Sequence, residues 1–125
     1  MKELSRIASA IQPSATMAID SLFKQMKAEG VDVIGETCPQ YLLLDDSVYD
    51  NPDYSLAARY VCAPPIRKAE DQKALWMALR RGEIQTISTD HCSFTLEQKD
   101  AGRDDFTRIP GGLPGVETRG ELIYT

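Results

Sequence analysis

The residues of this chain best suited to chemistry stand together in Ile84-Gln-Thr-Ile-Ser-Thr-Asp90-His91-Cys92. Aspartate, histidine and a thiol are metal-ligand or acid/base types, and the β-branched residues before them read as a strand whose carboxyl end displays them. Residue types alone leave two readings open: a catalytic or metal site, and an ordinary hydrogen-bonded Asp-His pair in a loop. His91 is the only histidine and reads as a structural partner of its loop. Cys38 and Cys92 read as packed thiols rather than ligands. Glu36 is either a functional strand-end carboxylate or a structural hydrogen-bond acceptor. Arg67 reads as a loop anchor, and no spacing singles out one of Tyr41, Tyr49 and Tyr60.

The elements that must position these groups are legible from periodicity. Ile19, Leu22, Phe23 and Met26 recur at i, i+3, i+4 and i+7, which predicts an amphipathic helix over 15–29. Ser14 or Thr16 would cap it and Gly30 would stop it. Val31 to Thr37 then predicts a β-branched strand ended by Cys38-Pro39. Residues 38–69 read as irregular, with the breaker combinations Asp45-Asp46-Ser47, Asn51-Pro52-Asp53 and Pro64-Pro65. Ala74, Leu75, Ala78 and Leu79 form the apolar face of a second helix, with Asp71 in or near its first turn, Trp76 on its flank and Arg80, Arg81 and Gly82 at its end. A strand over 84–89 follows. Strand, crossover helix and strand favour parallel pairing and an α/β fold. Beyond it, residues 95–125 are charged and then glycine-proline rich, and Pro110-Gly-Gly-Leu-Pro-Gly115 reads as a set of turns.

Composition excludes several function classes. The chain has 125 residues, 42% of them hydrophobic, enough for one modest core. A net charge of −5 with scattered basic residues argues against a nucleic-acid partner. No apolar run approaches the length of a bilayer span, and Met1-Lys-Glu-Leu-Ser lacks the layout of a signal peptide, so a cytoplasmic location and no membrane partner are expected. Three widely spaced cysteines, Cys38, Cys62 and Cys92, suit reduced thiols better than a disulfide framework or paired zinc-ligand spacing.

Several blocks then carry a resemblance. Gly35-Glu-Thr-Cys-Pro-Gln-Tyr-Leu-Leu-Leu-Asp-Asp46, Cys62-Ala-Pro-Pro-Ile-Arg67, Leu75-Trp76, Thr89-Asp-His-Cys92, Asp105-Phe-Thr-Arg-Ile-Pro110 and Pro114-Gly-Val-Glu117 resemble the dihydropyrimidinase and hydantoinase family in order and approximate spacing. The resemblance spans residues 35–125 and implies the last strands and helices of a metal-dependent amidohydrolase (β/α)₈ TIM barrel. It further implies hydrolysis of the ring amide of dihydropyrimidines or hydantoins at a two-metal centre, typically zinc, bridged by a carbamylated lysine. On that basis Asp90 corresponds to the metal-ligating aspartate of the last barrel strand, which also serves as acid/base. Substrate contacts made largely by main-chain groups map to Ala63 and Gly111, where serine and asparagine are commoner. Glycine at 111 affects loop rigidity more than the contact itself.

Residues 1–34 read differently. Leu4-Ser-Arg-Ile-Ala, Ile11 to Asp20 and Ala28 to Ile34 are similar to the amino-terminal segment of aspartate-type, pyridoxal-phosphate-dependent aminotransferases. The expected organisation is therefore a helical segment over 1–34, from an unrelated fusion, joined to a hydantoinase-like part over 35–125. The other reading is that an unusual sequence fills the barrel helix preceding the Gly35 strand. No cofactor lysine can be assigned, so aminotransferase activity is not supported. The family's metal site needs an His-x-His pair, a carbamylated lysine and two further histidines, whereas this chain has one histidine. Two functions follow: a fragment of a cyclic amidohydrolase, inactive by itself, or a non-catalytic α/β remnant acting through self-association or a partner.

Overall fold

A computed structural model describes residues 15–124 of the chain, with side chains described from residue 21 onward. The chain divides between Val33 and Ile34 into two compact units.

The first unit contains α1, Ala15–Ala28. Its end is set by Gly30, which takes a left-handed conformation (φ 76°) open to glycine at no steric cost. Gly30 N–H donates to Lys27 O at 3.2 Å and Val31 N–H to Met26 O at 3.0 Å, satisfying carbonyls the helix would leave unpaired. Of the expected stripe, Phe23 and Met26 are half-buried and Leu22 is exposed. Ser14 and the side chain of Ile19 lie outside the described residues, and Thr16 sits inside the helix rather than capping it.

The second unit is built on a two-stranded parallel sheet. β1 (Glu36–Thr37) pairs with β2 (Thr86–Ile87) in the register Glu36↔Thr86 and Thr37↔Ile87. Parallel pairing is as expected, but both strands are much shorter than the spans 31–37 and 84–89. A ladder extends only where a partner backbone runs alongside. At Gly35 the backbone N–H turns to the Gln85 side-chain oxygen at 2.6 Å rather than to a strand carbonyl.

Between the strands runs α4, Ala69–Arg80, preceded by α2 (Pro39–Leu43), a 3-10 turn at Asp46–Tyr49, α3 (Tyr54–Ala57) and a second 3-10 turn at Ala58–Tyr60. The expected irregular stretch 38–69 is thus a series of short helical turns. Its breaker residues are their caps: Asp45 accepts from Ser47 N–H at 3.0 Å and Asp53 from Ser55 N–H at 2.9 Å. In α4 the Asp71 carboxylate accepts the Lys68 N–H at 3.2 Å, and Gly82 turns the chain with φ 70°. Trp76 Nε1–H donates to Leu42 O at 2.9 Å, fastening α4 to α2, and Leu42 is 1% exposed. Cys38, Ala58 and Ile66 complete the buried apolar set among the described residues.

After β2 come α5 (Leu96–Asp100), a 3-10 turn at Phe106–Arg108 and α6 (Arg119–Tyr124), so the tail expected as turns also contains helices. α5 starts on a reciprocal cap, Thr95 Oγ1 accepting from Gln98 N–H at 3.3 Å and Gln98 Oε1 from Thr95 N–H at 2.8 Å. His91 bridges to Leu113 as a lone parallel pair, and Cys92 N–H donates to Leu113 O at 3.0 Å, which draws the glycine-proline segment back against the end of β2.

Candidate functional site

β2 delivers Ser88, Thr89 and Asp90 to the carboxyl end of the parallel sheet. Asp90 takes a positive φ of 45°, a left-handed conformation that aspartate tolerates better than β-branched residues. Its side chain is exposed and lines an open depression of about 920 Å³ with Glu36, Cys38, Tyr41, Pro64 and Ser88. A carboxylate at that edge reaches groups on both strands and on the Pro64 loop, so its charge is felt there. Burial pushes the Cys38 thiol above its ordinary value; a hydrogen-bond contact to Ser88 Oγ at 3.4 Å offsets part of that shift, and the nearby Asp90 and Glu36 carboxylates add to it. The Tyr41 phenol is raised further, first by burial and then by Cys62 and Asp90. It stays protonated and donates to Pro64 O at 3.0 Å.

The segment carrying Ala63 is held from several sides. Tyr49 Oη accepts from Ile66 N–H at 2.9 Å and donates to Tyr60 O at 3.3 Å, bracketing residues 61–65. The Ala63-Pro64 peptide is cis. Gly112 N–H donates to Val61 O at 3.0 Å, so the glycine-proline segment is laid beside this one. A methyl group at Gly111 would stand 3.7 Å from Ala63 N and 3.8 Å from Cys62 Cα. Ala63 and Gly111, far apart in the sequence, are thus neighbours, and both are exposed.

Lys99 joins these segments. It is 4% exposed, yet its ammonium donates to Val61 O at 2.8 Å, Pro110 O at 2.7 Å and Gly112 O at 3.0 Å, filling all three donor positions. The ring of Phe94 lies 5.5 Å from Nζ. Burial lowers the affinity of this lysine for its proton, and the carbonyl dipoles are what stabilise the charge there. In the sequence Lys99 carries no signal, because a lysine between Gln98 and Asp100 looks like part of a solvated helix face. Of Tyr41, Tyr49 and Tyr60, the structure singles out Tyr41 and Tyr49 as the ones whose hydroxyls hold the loops.

His91 acts as the loop partner expected of it. Its Nδ1 accepts from Gly115 N–H at 3.1 Å and Val116 N–H at 3.2 Å, leaving that nitrogen no lone pair for another acceptor role. Cys38 is buried as expected, while Cys92 is exposed and so is not the packed thiol expected of it. Glu36 accepts from Thr86 Oγ1 at 3.2 Å, the structural role among its two readings. Among the described residues no group of three or more His, Cys, Asp or Glu side chains could hold a metal ion. A zinc centre needs several ligands at once, of which Asp90 can supply one.

Comparison with known proteins gives this arrangement its family. The chain is 46% identical over 126 residues to the D-hydantoinase of Streptomyces coelicolor, a match covering 97% of this chain and 27% of that protein. It is also 46% identical over 107 residues to the dihydropyrimidinase of Arabidopsis thaliana, covering 86% of this chain and 20% of that one. Its fold superimposes on the crystal structure of dihydropyrimidinase from Brevibacillus agri with a TM-score of 0.76 at 44% identity, over 82% of this chain and 22% of that one. The chain belongs to the D-hydantoinase and dihydropyrimidinase family. It spans about a quarter of the length of these relatives. No protein-family model matches the chain. Because the Streptomyces coelicolor match covers 97% of the chain, the hydantoinase likeness runs through most of residues 1–34 and is not confined to 35–125. Among the described residues no helix is long and apolar enough to cross a membrane.

Proposed function

We propose that this chain is the strand-end portion of a metal-dependent cyclic amidohydrolase, the last part of an amidohydrolase TIM barrel, acting on the ring C–N bond of dihydropyrimidines or hydantoins. The observation that carries the reading is the 46% identity to a D-hydantoinase; in its support, Asp90 lines one depression with Pro64, the residue after Ala63, and Ala63 lies beside Gly111. Asp90 is the acid/base: a carboxylate there takes the proton of the attacking water and returns it to the leaving ring nitrogen. The exposed main chain at Ala63 and Gly111 holds the cyclic amide by its N–H and C=O edges, since exposed peptide groups are open to a ligand that carries the complementary donor and acceptor. Asp90 supplies one metal ligand and the remaining ligands come from outside this chain, so the chain alone is inactive. The reach of the hydantoinase match favours residues 1–34 being the barrel helix before the Gly35 strand over an aminotransferase-derived fusion.

The test is ring opening of hydantoin and dihydrouracil, with and without zinc. The purified chain is assayed alone and then combined with the part of the Streptomyces coelicolor D-hydantoinase that it does not match. No turnover alone, turnover in the combined protein, and its loss with Asp90→Asn are expected. Turnover unaffected by Asp90→Asn, or a stable combined protein that opens neither ring, overturns the reading.

A further inference from the structure

We infer that Lys99 is a positioning residue that sets the geometry of the two main-chain segments, 61–63 and 110–112, on which the substrate is held. The inference rests on the function proposed above. Its observation is independent of it: one buried ammonium bonds Val61 O, two residues before Ala63, and Pro110 O and Gly112 O, the carbonyls of the residues on either side of Gly111.

A single cation converging on three carbonyls fixes three peptide planes at once. Each bond constrains the plane of the peptide it accepts from, and charge-assisted bonds in a dry environment are stiffer than neutral ones. The Pro110 and Gly112 carbonyls bracket Gly111, a residue with no side chain to hold its own backbone, so its orientation is imposed from outside. Val61 O receives both Lys99 Nζ and Gly112 N–H, at 2.8 and 3.0 Å, and so closes the link between the two segments. Phe94 beside Nζ excludes water that would otherwise compete for the carbonyls. Lys99 is placed by α5, whose reciprocal cap at Thr95 and Gln98 fixes the start of that helix. Its own carbonyl is also held, by Tyr54 Oη at 3.0 Å. Asp90 makes none of these bonds. Perturbing Lys99 is therefore expected to act on substrate binding more than on proton transfer.

The experiment compares Lys99→Met and Lys99→Arg with the unaltered chain in the combined protein described above. Steady-state kinetics on dihydrouracil is paired with amide hydrogen exchange on the purified chain. Lys99→Met is expected to raise KM by about tenfold or more while kcat changes by less than about threefold. Exchange at Gly112 N–H is expected to quicken while that of α4 stays slow. Lys99→Arg keeps the charge but spreads its donors in a planar fork, so it recovers part of the KM. If Lys99→Met does not fold, the split between KM and kcat in Lys99→Arg decides. An unchanged KM with faster exchange overturns the inference alone, as does unchanged exchange, or a fall in kcat with KM held. Absence of turnover in a stable combined protein that carries the unaltered chain overturns the proposed function and this inference together, which separates the two failures.

Discussion

Gly112→Ala is the perturbation whose cost can be worked most directly from the structure. A methyl group at position 112 would lie 2.6 Å from Cys92 O and 2.7 Å from Cys92 Cβ. An ordinary carbon–oxygen contact is about 3.3 Å or more, so the two backbones must part by roughly 0.7 Å at the oxygen alone. They are not free to part. Cys92 N–H bonds Leu113 O, Gly112 N–H bonds Val61 O and Lys99 bonds Gly112 O, each at 3.0 Å. Lengthening by that amount takes such bonds out of hydrogen-bond range, at about 1 kcal/mol for each neutral bond and about 2 kcal/mol for the charged one. Keeping the bonds instead leaves an overpacked contact costing about 1–3 kcal/mol. The two routes together predict a loss of about 1–4 kcal/mol. Gly120→Ala is the control: nothing lies within 4 Å of a methyl there, and the position is in α6, so the change is neutral or stabilising by up to about 1 kcal/mol. Urea unfolding followed by the fluorescence of Trp76, the only tryptophan, measures both. A Gly112→Ala midpoint within about 0.5 kcal/mol of the unaltered chain would refute the close packing of these two segments.

Two further outcomes follow from burial and titration. Leu42→Ala should cost about 3 kcal/mol, because Leu42 is fully buried where Trp76 fastens α4 to α2; the urea midpoint measures it, and a loss under about 1 kcal/mol would show that the site collapses freely. Stability should fall as pH rises past 9, since burial raises the Cys38 and Cys62 thiols above 9.0 and the Tyr41 and Tyr49 phenols above 10.0. The unfolded chain gives up these protons first, so the contribution is complete below the unfolded values and lost as pH climbs through the folded ones. Lys99 works in the opposite sense: its folded value lies below 10.5, so between the two values the unfolded chain holds the extra proton and stability gains with pH. Urea midpoints from about pH 8 to about pH 11 should therefore decline, and decline more steeply in Lys99→Met. A flat profile in both would refute the burial of the four acidic groups.

Much of this protein was legible before folding. The i, i+3, i+4, i+7 stripe placed α1 to within a residue of its end, because a helix needs only local spacing and a glycine that tolerates positive φ. α4 was readable for the same reason, and the parallel pairing of its flanking strands from the order strand, crossover helix, strand. The Thr89-Asp-His-Cys92 and Cys62-Ala-Pro-Pro-Ile-Arg67 blocks named the family that the relatives bear out, since they are fixed words rather than patterns.

Tertiary structure alone decided the rest. Strand length was set by where a partner backbone runs alongside, which cut β1 and β2 to Glu36–Thr37 and Thr86–Ile87. The adjacency of Ala63 and Gly111 arises from the chain crossing itself at Val61 and Gly112, a contact between residues too distant for any local pattern to encode. Lys99 carries the same lesson most plainly. Its type predicts a solvated surface, and only the convergence of three carbonyls from two segments distant in the sequence makes burial of its charge tolerable.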